Sequence, residues 1–198
     1  MNTGIIKAVK FAVIAISISL VSLITPVHAN NVDQTDDFPD KQSDENKAIE
    51  KLFLQLRPQI DAAAGLTYKP KGKIRHTVYM FSSTECSHCS DAAGQIKPLL
   101  DTYHAELKIL FCGFNDLPRK NGVQVVCRKL DLDAYNQKTW KTNGIKPESE
   151  CVDAAKTVDK SIALSNLLKV HNLPTFFLES GHRIVGNKMI DLEKELMK

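Results

Sequence analysis

The sequence predicts one α/β domain built around a single β-sheet. Two runs rich in β-branched and aromatic residues, IRHTVYMFS (74–82) and LKILFCGF (107–114), enclose a segment with helical periodicity. A second helical segment at 151–170 is followed by TFFLE (175–179) and RIVG (183–186), which predict a hairpin. Strand–helix–strand followed by helix–hairpin–helix is an α/β or α+β arrangement around one sheet.

The N-terminus is typical of a secretory signal peptide. Residues 1–10 contain two lysines and no acid, residues 11–24 (FAVIAISISLVSLI) are mostly apolar, and a small residue, alanine, precedes Asn30. We expect residues 1–29 to be a cleaved signal peptide, because the apolar core is short for a membrane span. An uncleaved N-terminal anchor is the alternative.

The remaining chain is close to electrical neutrality. Without residues 1–29 it has 169 residues, with 24 Lys and Arg against 23 Asp and Glu. This length is enough for one domain with a hydrophobic core. So balanced a charge gives no electrostatic basis for binding nucleic acid or an anionic membrane surface.

Residues 30–66 are predicted to precede the main domain, which runs from 67 to 198. Residues 30–46 are polar and acidic, which is typical of a flexible leader. Ile49, Leu52, Phe53, Leu56 and Ile60 then recur at helical spacing and predict one amphipathic helix that ends near Gly65 and is kinked or restarted at Pro58.

The other elements follow from the same reasoning. They are a helix from Cys86 bent at Pro98, a turn-rich loop at 116–122, helices at 123–140 and 151–170 around a loop at 141–150, a turn at Ser180 and Gly181, and a C-terminal helix over 189–197.

The motif Cys-Ser-His-Cys (86–89) is the strongest chemical signal. Cys86 falls at a predicted strand-to-helix junction, where free backbone N–H groups and the helix dipole stabilise a thiolate. Cys89, one turn later, is placed to resolve a mixed disulfide on Cys86. His88 can tune the pair by carrying positive charge near the sulfur. In an exported protein, disulfide chemistry is the expected use of such a motif.

Three other uses of this motif compete with the redox interpretation. A structural zinc site needs two more ligands, and the remaining cysteines stand singly at 112, 127 and 151. A purely structural Cys86–Cys89 bridge would close too small a loop to add much stability. A periplasmic copper or zinc carrier remains the alternative function, since thiolates suit Cu(I). We predict no resident metal and no cofactor.

The sequence resembles the catalytic domain of DsbC/DsbG-type periplasmic disulfide isomerases, which have the thioredoxin fold. The resemblance runs from about Thr67 to the C-terminus. It rests on strand–CSHC–helix and on the late segment NLPTFFLESGHRIVG, in which Pro174 occupies the position of the family's cis-proline. The spacing of Cys127 and Cys151 around a helical insert narrows the resemblance to this branch.

The resemblance implies roles for individual residues. Cys86 would be the attacking thiolate and Cys89 the resolving one, and Leu173 and Pro174 would pair with an extended substrate segment. Cys127 and Cys151 would form the family's second, structural disulfide. Cys112 is then left over, and a buried free thiol or a pairing with either of those two cysteines stays open.

The resemblance also implies a function and a location. We expect a thiol–disulfide oxidoreductase or isomerase of the bacterial periplasm, with exported cysteine-containing proteins as substrates and a membrane redox partner that recycles the motif.

The sequence departs from the family in three ways. No full N-terminal dimerisation domain is seen, Leu173 replaces the usual threonine, and Met80 stands where thioredoxins have a buried acid.

Overall fold

The computed structural model of the chain describes residues 41–113, 115–141 and 144–198. The predicted signal peptide and residues 30–40 of the predicted leader lie outside the described residues. Within the described ranges, no helix is long and apolar enough to cross a membrane.

The described residues contain a sheet of five strands. These are β1 (Leu66–Tyr68), β2 (His76–Ser82), β3 (Ala105–Phe111), β4 (Thr175–Leu178) and β5 (Arg183–Val185). They lie in the order β1-β3-β2-β4-β5. Strands β2 and β3 are parallel, and every other neighbouring pair is antiparallel.

Six α-helices occur in the same described ranges, together with two one-turn 3₁₀ helices at Thr139–Lys141 and Glu148–Glu150. The α-helices are α1 (Lys41–Ala62), α2 (Ser87–Tyr103), α3 (Asp116–Cys127), α4 (Leu132–Asn136), α5 (Val152–Leu167) and α6 (Met189–Leu196). The predicted strands, the helices predicted at 151–170 and 189–197 and the α/β fold class are therefore confirmed, with boundaries that shift by a few residues.

Both faces of the sheet are covered by helices. Successive residues of the central strand β2 point to opposite faces, so they pack into two different cores. Val78 and Met80 pack into a core with α2 and α6. Tyr79 and Phe81 pack into a second core with α1 and the end of α5. All four side chains are buried, so β2 is held rigidly where it leads into the C-x-x-C motif.

Helix α1 is longer than predicted. It begins at Lys41, so the flexible-leader prediction is wrong for residues 41–46, and it continues through Pro58 without a restart. Glu45 near its start forms an ion pair with Lys169 at 2.6 Å. Proline at 58 deprives the Leu54 carbonyl of its helical partner, and Leu54 is exposed, so water can satisfy that group.

The loop predicted at 116–122 is wrong, since these residues begin helix α3. The Asn115 side chain caps the helix by accepting a hydrogen bond from the Leu117 N–H at 3.2 Å. Pro118 lies in the first turn, where its missing N–H has no helical partner in any case. Gly122 allows close packing, because a Cβ there would lie 3.1 Å from Phe111 Cβ.

The single helix predicted over 123–140 is also wrong. Helix α3 ends at Cys127, and Lys129 has a left-handed backbone with φ 51°. The chain restarts as α4, capped by Asp131, whose carboxylate accepts a hydrogen bond from the Ala134 N–H at 2.8 Å. We call residues 115–141 and 144–151, from α3 to the start of α5, the helical insert.

Candidate redox-active site

The C-x-x-C motif lies where β2 passes into α2. Cys86 is the N-cap of α2, with an extended backbone, and its Sγ accepts a hydrogen bond from the Cys89 N–H at 3.1 Å. The two cysteines are joined by a disulfide with a Cα–Cα distance of 5.2 Å. Cys86 is half-buried and Cys89 is fully buried. The sulfur of Cys86 is therefore the one that a partner molecule can reach.

The local sequence explains this position. Polar residues Ser82 to Glu85 end the apolar strand, and the Cys86 N–H turns back to the Ser83 carbonyl at 3.2 Å. The apolar positions that follow at helical spacing then seat α2 on the sheet; those fully buried are Cys89, Ala92, Ala93, Ile96 and Leu100. His88, in the first turn of α2, is exposed beside the motif.

A cis-proline loop lies next to the sulfurs. The Leu173–Pro174 peptide bond is cis. The Leu173 carbonyl oxygen lies 3.8 Å from Cys86 Sγ. Strand pairing sets this approach, because Phe81 at the end of β2 pairs with Thr175 at the start of β4. The structure thus brings Cys86, Cys89, Leu173 and Pro174 together.

The loop itself is fixed by hydrogen bonds on both sides. The Thr175 hydroxyl donates to the Asn172 carbonyl at 2.6 Å, and the Gly186 N–H donates to the Pro174 carbonyl at 2.8 Å. Leu173 is half-buried while Pro174 is buried. The backbone of residue 173 is consequently held in place beside the disulfide.

Two residues of the helical insert contact the residue that precedes Cys86. The Asn121 Nδ2 donates to Glu85 Oε1 at 2.7 Å, and the Lys141 ammonium lies 3.4 Å from Glu85 Oε2. The sequence alone does not indicate these two partners of Glu85. They lie 36 and 56 positions away on an insert whose helices were predicted incorrectly, so no local pattern indicates them.

A buried polar group lies behind the motif. Ser82 Oγ and the Tyr135 hydroxyl share a hydrogen bond of 2.8 Å, and burial raises the pKa of Tyr135 to about 12.

Cys112 is a free thiol, 5% exposed, whose backbone N–H and Sγ both contact the Ser82 carbonyl, at 2.8 and 3.4 Å. Burial raises the pKa of the Cys112 thiol to about 12.

A second disulfide closes the helical insert. Cys127 at the end of α3 is bonded to Cys151 at the start of α5, with a Cα–Cα distance of 5.4 Å. Between them, Trp140 is 2% exposed and stacks on Tyr135 with ring centroids 5.4 Å apart. The insert is thereby joined to the strand end that carries the motif.

No group of three or more His, Cys, Asp or Glu side chains in the described ranges could hold a metal ion.

Comparison with known proteins decides the fold. No protein-family model matches the sequence, and no curated protein matches it significantly. The chain is similar in structure to the thiol-disulfide exchange protein alpha-DsbA2 from Wolbachia pipientis, with a TM-score of 0.59 and 14% identity over 78% of this chain and 97% of that one. The fold is thioredoxin-like.

Two further solved structures agree on this fold. The catalytic domain of Proteus mirabilis ScsC gives a TM-score of 0.53 and 15% identity over 75% of this chain and 99% of that one. A periplasmic thioredoxin-like protein from Salmonella enterica serovar Typhimurium gives 0.51 and 13% over 70% and 97%. At such identities the similarity shows the fold alone, and the narrower resemblance to DsbC and DsbG stays a prediction.

Proposed function

We propose that the protein is a periplasmic thiol–disulfide oxidoreductase, with reductase or isomerase activity, that acts on exported proteins through Cys86 and Cys89. The observation that carries this proposal is the asymmetry of the pair. Cys86 is reachable, caps a helix and accepts an N–H hydrogen bond on its sulfur, whereas Cys89 is buried directly behind it.

The chemistry starts from the reduced pair. The N-terminus of α2 favours the Cys86 thiolate, because unpaired N–H groups and the positive end of the helix dipole stabilise negative charge. The thiolate attacks one sulfur of a substrate disulfide and forms a mixed disulfide, and the other substrate sulfur leaves as a thiolate.

The mixed disulfide can then resolve in two ways. Cys89, as a thiolate, attacks Cys86 Sγ and releases the second substrate thiolate, so the substrate gains two electrons and the Cys86–Cys89 disulfide forms. Alternatively, another thiolate of the substrate attacks its own sulfur in the mixed disulfide. This route regenerates the Cys86 thiolate and rearranges the substrate without net redox change.

The cis-proline loop provides a place for the substrate chain. An extended segment beside the disulfide can donate a backbone N–H to the Leu173 carbonyl, whose oxygen lies 3.8 Å from Cys86 Sγ. Main-chain pairing of this kind is independent of the substrate's side chains. It therefore supports a substrate class defined by accessible disulfides. A membrane protein would recycle the pair by the same exchange.

Substitution of Cys86 tests the proposal. The Cys86→Ala variant is expected to lose disulfide reduction of insulin and reactivation of scrambled ribonuclease completely, because no nucleophile remains at the reachable position. Cys112→Ala is the matched control, since it removes a cysteine that lies outside the pair, and it should retain both activities. Exchange activity in Cys86→Ala would contradict the proposal.

The Cys89→Ala variant tests the resolving step. It should accumulate mixed disulfides with substrate proteins that dithiothreitol releases, because Cys86 can still attack but has no internal thiol to free it. Stoichiometric uptake of Cu(I) or Zn²⁺ by the reduced wild-type protein, without any disulfide exchange, would instead favour the metal-carrier alternative.

A further inference from the structure

Glu85 places a negative charge one residue before the reactive sulfur. A carboxylate so close to Cys86 disfavours a thiolate, because like charges repel. Its side chain is 29% exposed, so water screens the charge only in part. His88 is the cation-forming residue within the motif itself, and two further groups, Asn121 and Lys141, contact this carboxylate from the helical insert.

We propose that Asn121 and Lys141 are positioning residues that hold Glu85, offset its negative charge and so keep the Cys86 thiolate stable. The inference rests on the proposed function, since it concerns the same redox pair. The Asn121 amide donates to one carboxylate oxygen at 2.7 Å, and the Lys141 ammonium lies 3.4 Å from the other. Both oxygens of Glu85 are thus engaged.

Both partners are held by packed neighbours. Lys141 follows Trp140, which is 2% exposed, in the turn Thr139–Lys141. Asn121 precedes Gly122, which packs closely on Phe111. The geometry of the Glu85 contacts therefore depends on the insert as a whole and not on the strand–helix junction alone.

The insert is in turn fixed to the rest of the domain. The Arg119 guanidinium contacts Asp159 of α5 at 2.6 Å and Glu148 at 2.9 Å. The Cys127–Cys151 disulfide joins the end of α3 to the start of α5. Since exposed ion pairs add little to folding free energy, the Glu85–Lys141 contact should affect the redox pair more clearly than it affects stability.

The sign of the effect follows from thiolate stability. If Lys141 is removed, Glu85 is less well compensated and the reduced, thiolate form of Cys86 is disfavoured. The pair then becomes a weaker oxidant, and its equilibrium with glutathione shifts toward the protein disulfide. For a partly exposed ion pair the expected shift in the equilibrium constant is roughly two- to fivefold.

The test uses the full chain and two measurements. Thiolate absorbance at 240 nm during pH titration of the reduced protein follows Cys86, and equilibration with reduced and oxidised glutathione gives the equilibrium constant. In the Lys141→Gln variant the Cys86 thiol should ionise at higher pH than in the wild type, and the equilibrium with glutathione should shift toward the protein disulfide. In the Asn121→Ala variant both values should change in the same direction. Lys141→Arg should restore both values, because it keeps the charge.

Two controls make the result specific. Lys138→Gln removes the same charge from the same insert at a residue that the structure does not pair with Glu85, and both measurements should stay at their wild-type values. In a Glu85→Gln background, Lys141→Gln should have a much smaller effect, because the charge that it offsets is already gone.

The inference is overturned if Lys141→Gln leaves both measurements unchanged, or if its effect is equally large in the Glu85→Gln background, since the lysine would then act on the sulfur directly. If the wild-type protein shows no redox equilibrium with glutathione at all, the proposed function falls and the inference falls with it. The wild-type measurement thus separates the two failures.

Discussion

Cys86 and Cys89 are bonded to each other but lie in different surroundings. Cys86 is half-buried at the helix N-terminus, with the Leu173 carbonyl nearby, whereas Cys89 has no exposed surface. An incoming disulfide can therefore meet the first sulfur and not the second. This difference in access, together with the N–H hydrogen bond to Cys86 Sγ, sets the order of attack in the proposed exchange.

Cys112 provides a residue-level prediction. Its pKa is raised to about 12 by burial, so at pH 8 about one thiol in 10⁴ is ionised, and only the thiolate reacts. In the oxidised, folded protein a thiol reagent should therefore label almost nothing at pH 8, and labelling should speed up as the pH rises toward 12. In denaturant one thiol per chain should react rapidly.

The control for this measurement is Cys112→Ser, which should show no labelling in either state because the other four cysteines are in disulfides. Rapid labelling of one thiol in the folded wild-type protein at pH 8 would contradict the burial of Cys112.

At the scale of elements, the start of helix α3 and strand β1 were not predicted from the sequence. The Asn-Asp-Leu-Pro stretch at 115–118 has the composition of a turn, but an N-cap side chain and a proline in the first turn are also what begins a helix. Strand β1, of three residues, was not predicted, because it is too short for a periodic pattern. It forms by pairing with β3, which is a tertiary contact.

The disulfide that closes the insert gives the prediction at this scale. The Cys127→Ala/Cys151→Ala double variant opens a loop of 25 residues, counting both ends. Loss of this constraint on the unfolded chain should lower the free energy of unfolding by about 3 kcal/mol. Urea denaturation followed by circular dichroism measures this value in the wild type and in the variant.

The double substitution leaves no new free thiol, so disulfide exchange does not complicate the measurement. Cys112→Ala serves as the comparison for loss of a cysteine side chain without loss of a bridge. A decrease below about 1 kcal/mol in the double variant would mean that the bridge does not restrain the unfolded chain as the loop length requires.

For the molecule as a whole, the sequence predicts four of the five described strands, but it predicts less of the surroundings of the redox pair. The run of β-branched and aromatic residues in β2 and the helical spacing in α2 are local patterns, and both elements lie where they were expected. The contact of Leu173 with Cys86 came from resemblance to a family. The contacts of Asn121 and Lys141 with Glu85 are known only from the structure, because they join residues that are distant in sequence.

The most direct test of the central claim is the reduction potential of the Cys86–Cys89 pair in glutathione buffers, with Cys86→Ala as the control. A thiolate stabilised by the helix N-terminus makes the disulfide oxidising, so we predict a value between about −120 and −180 mV. A value near about −270 mV would contradict the isomerase activity and leave the reductase activity. The absence of any equilibrium would contradict the redox function itself.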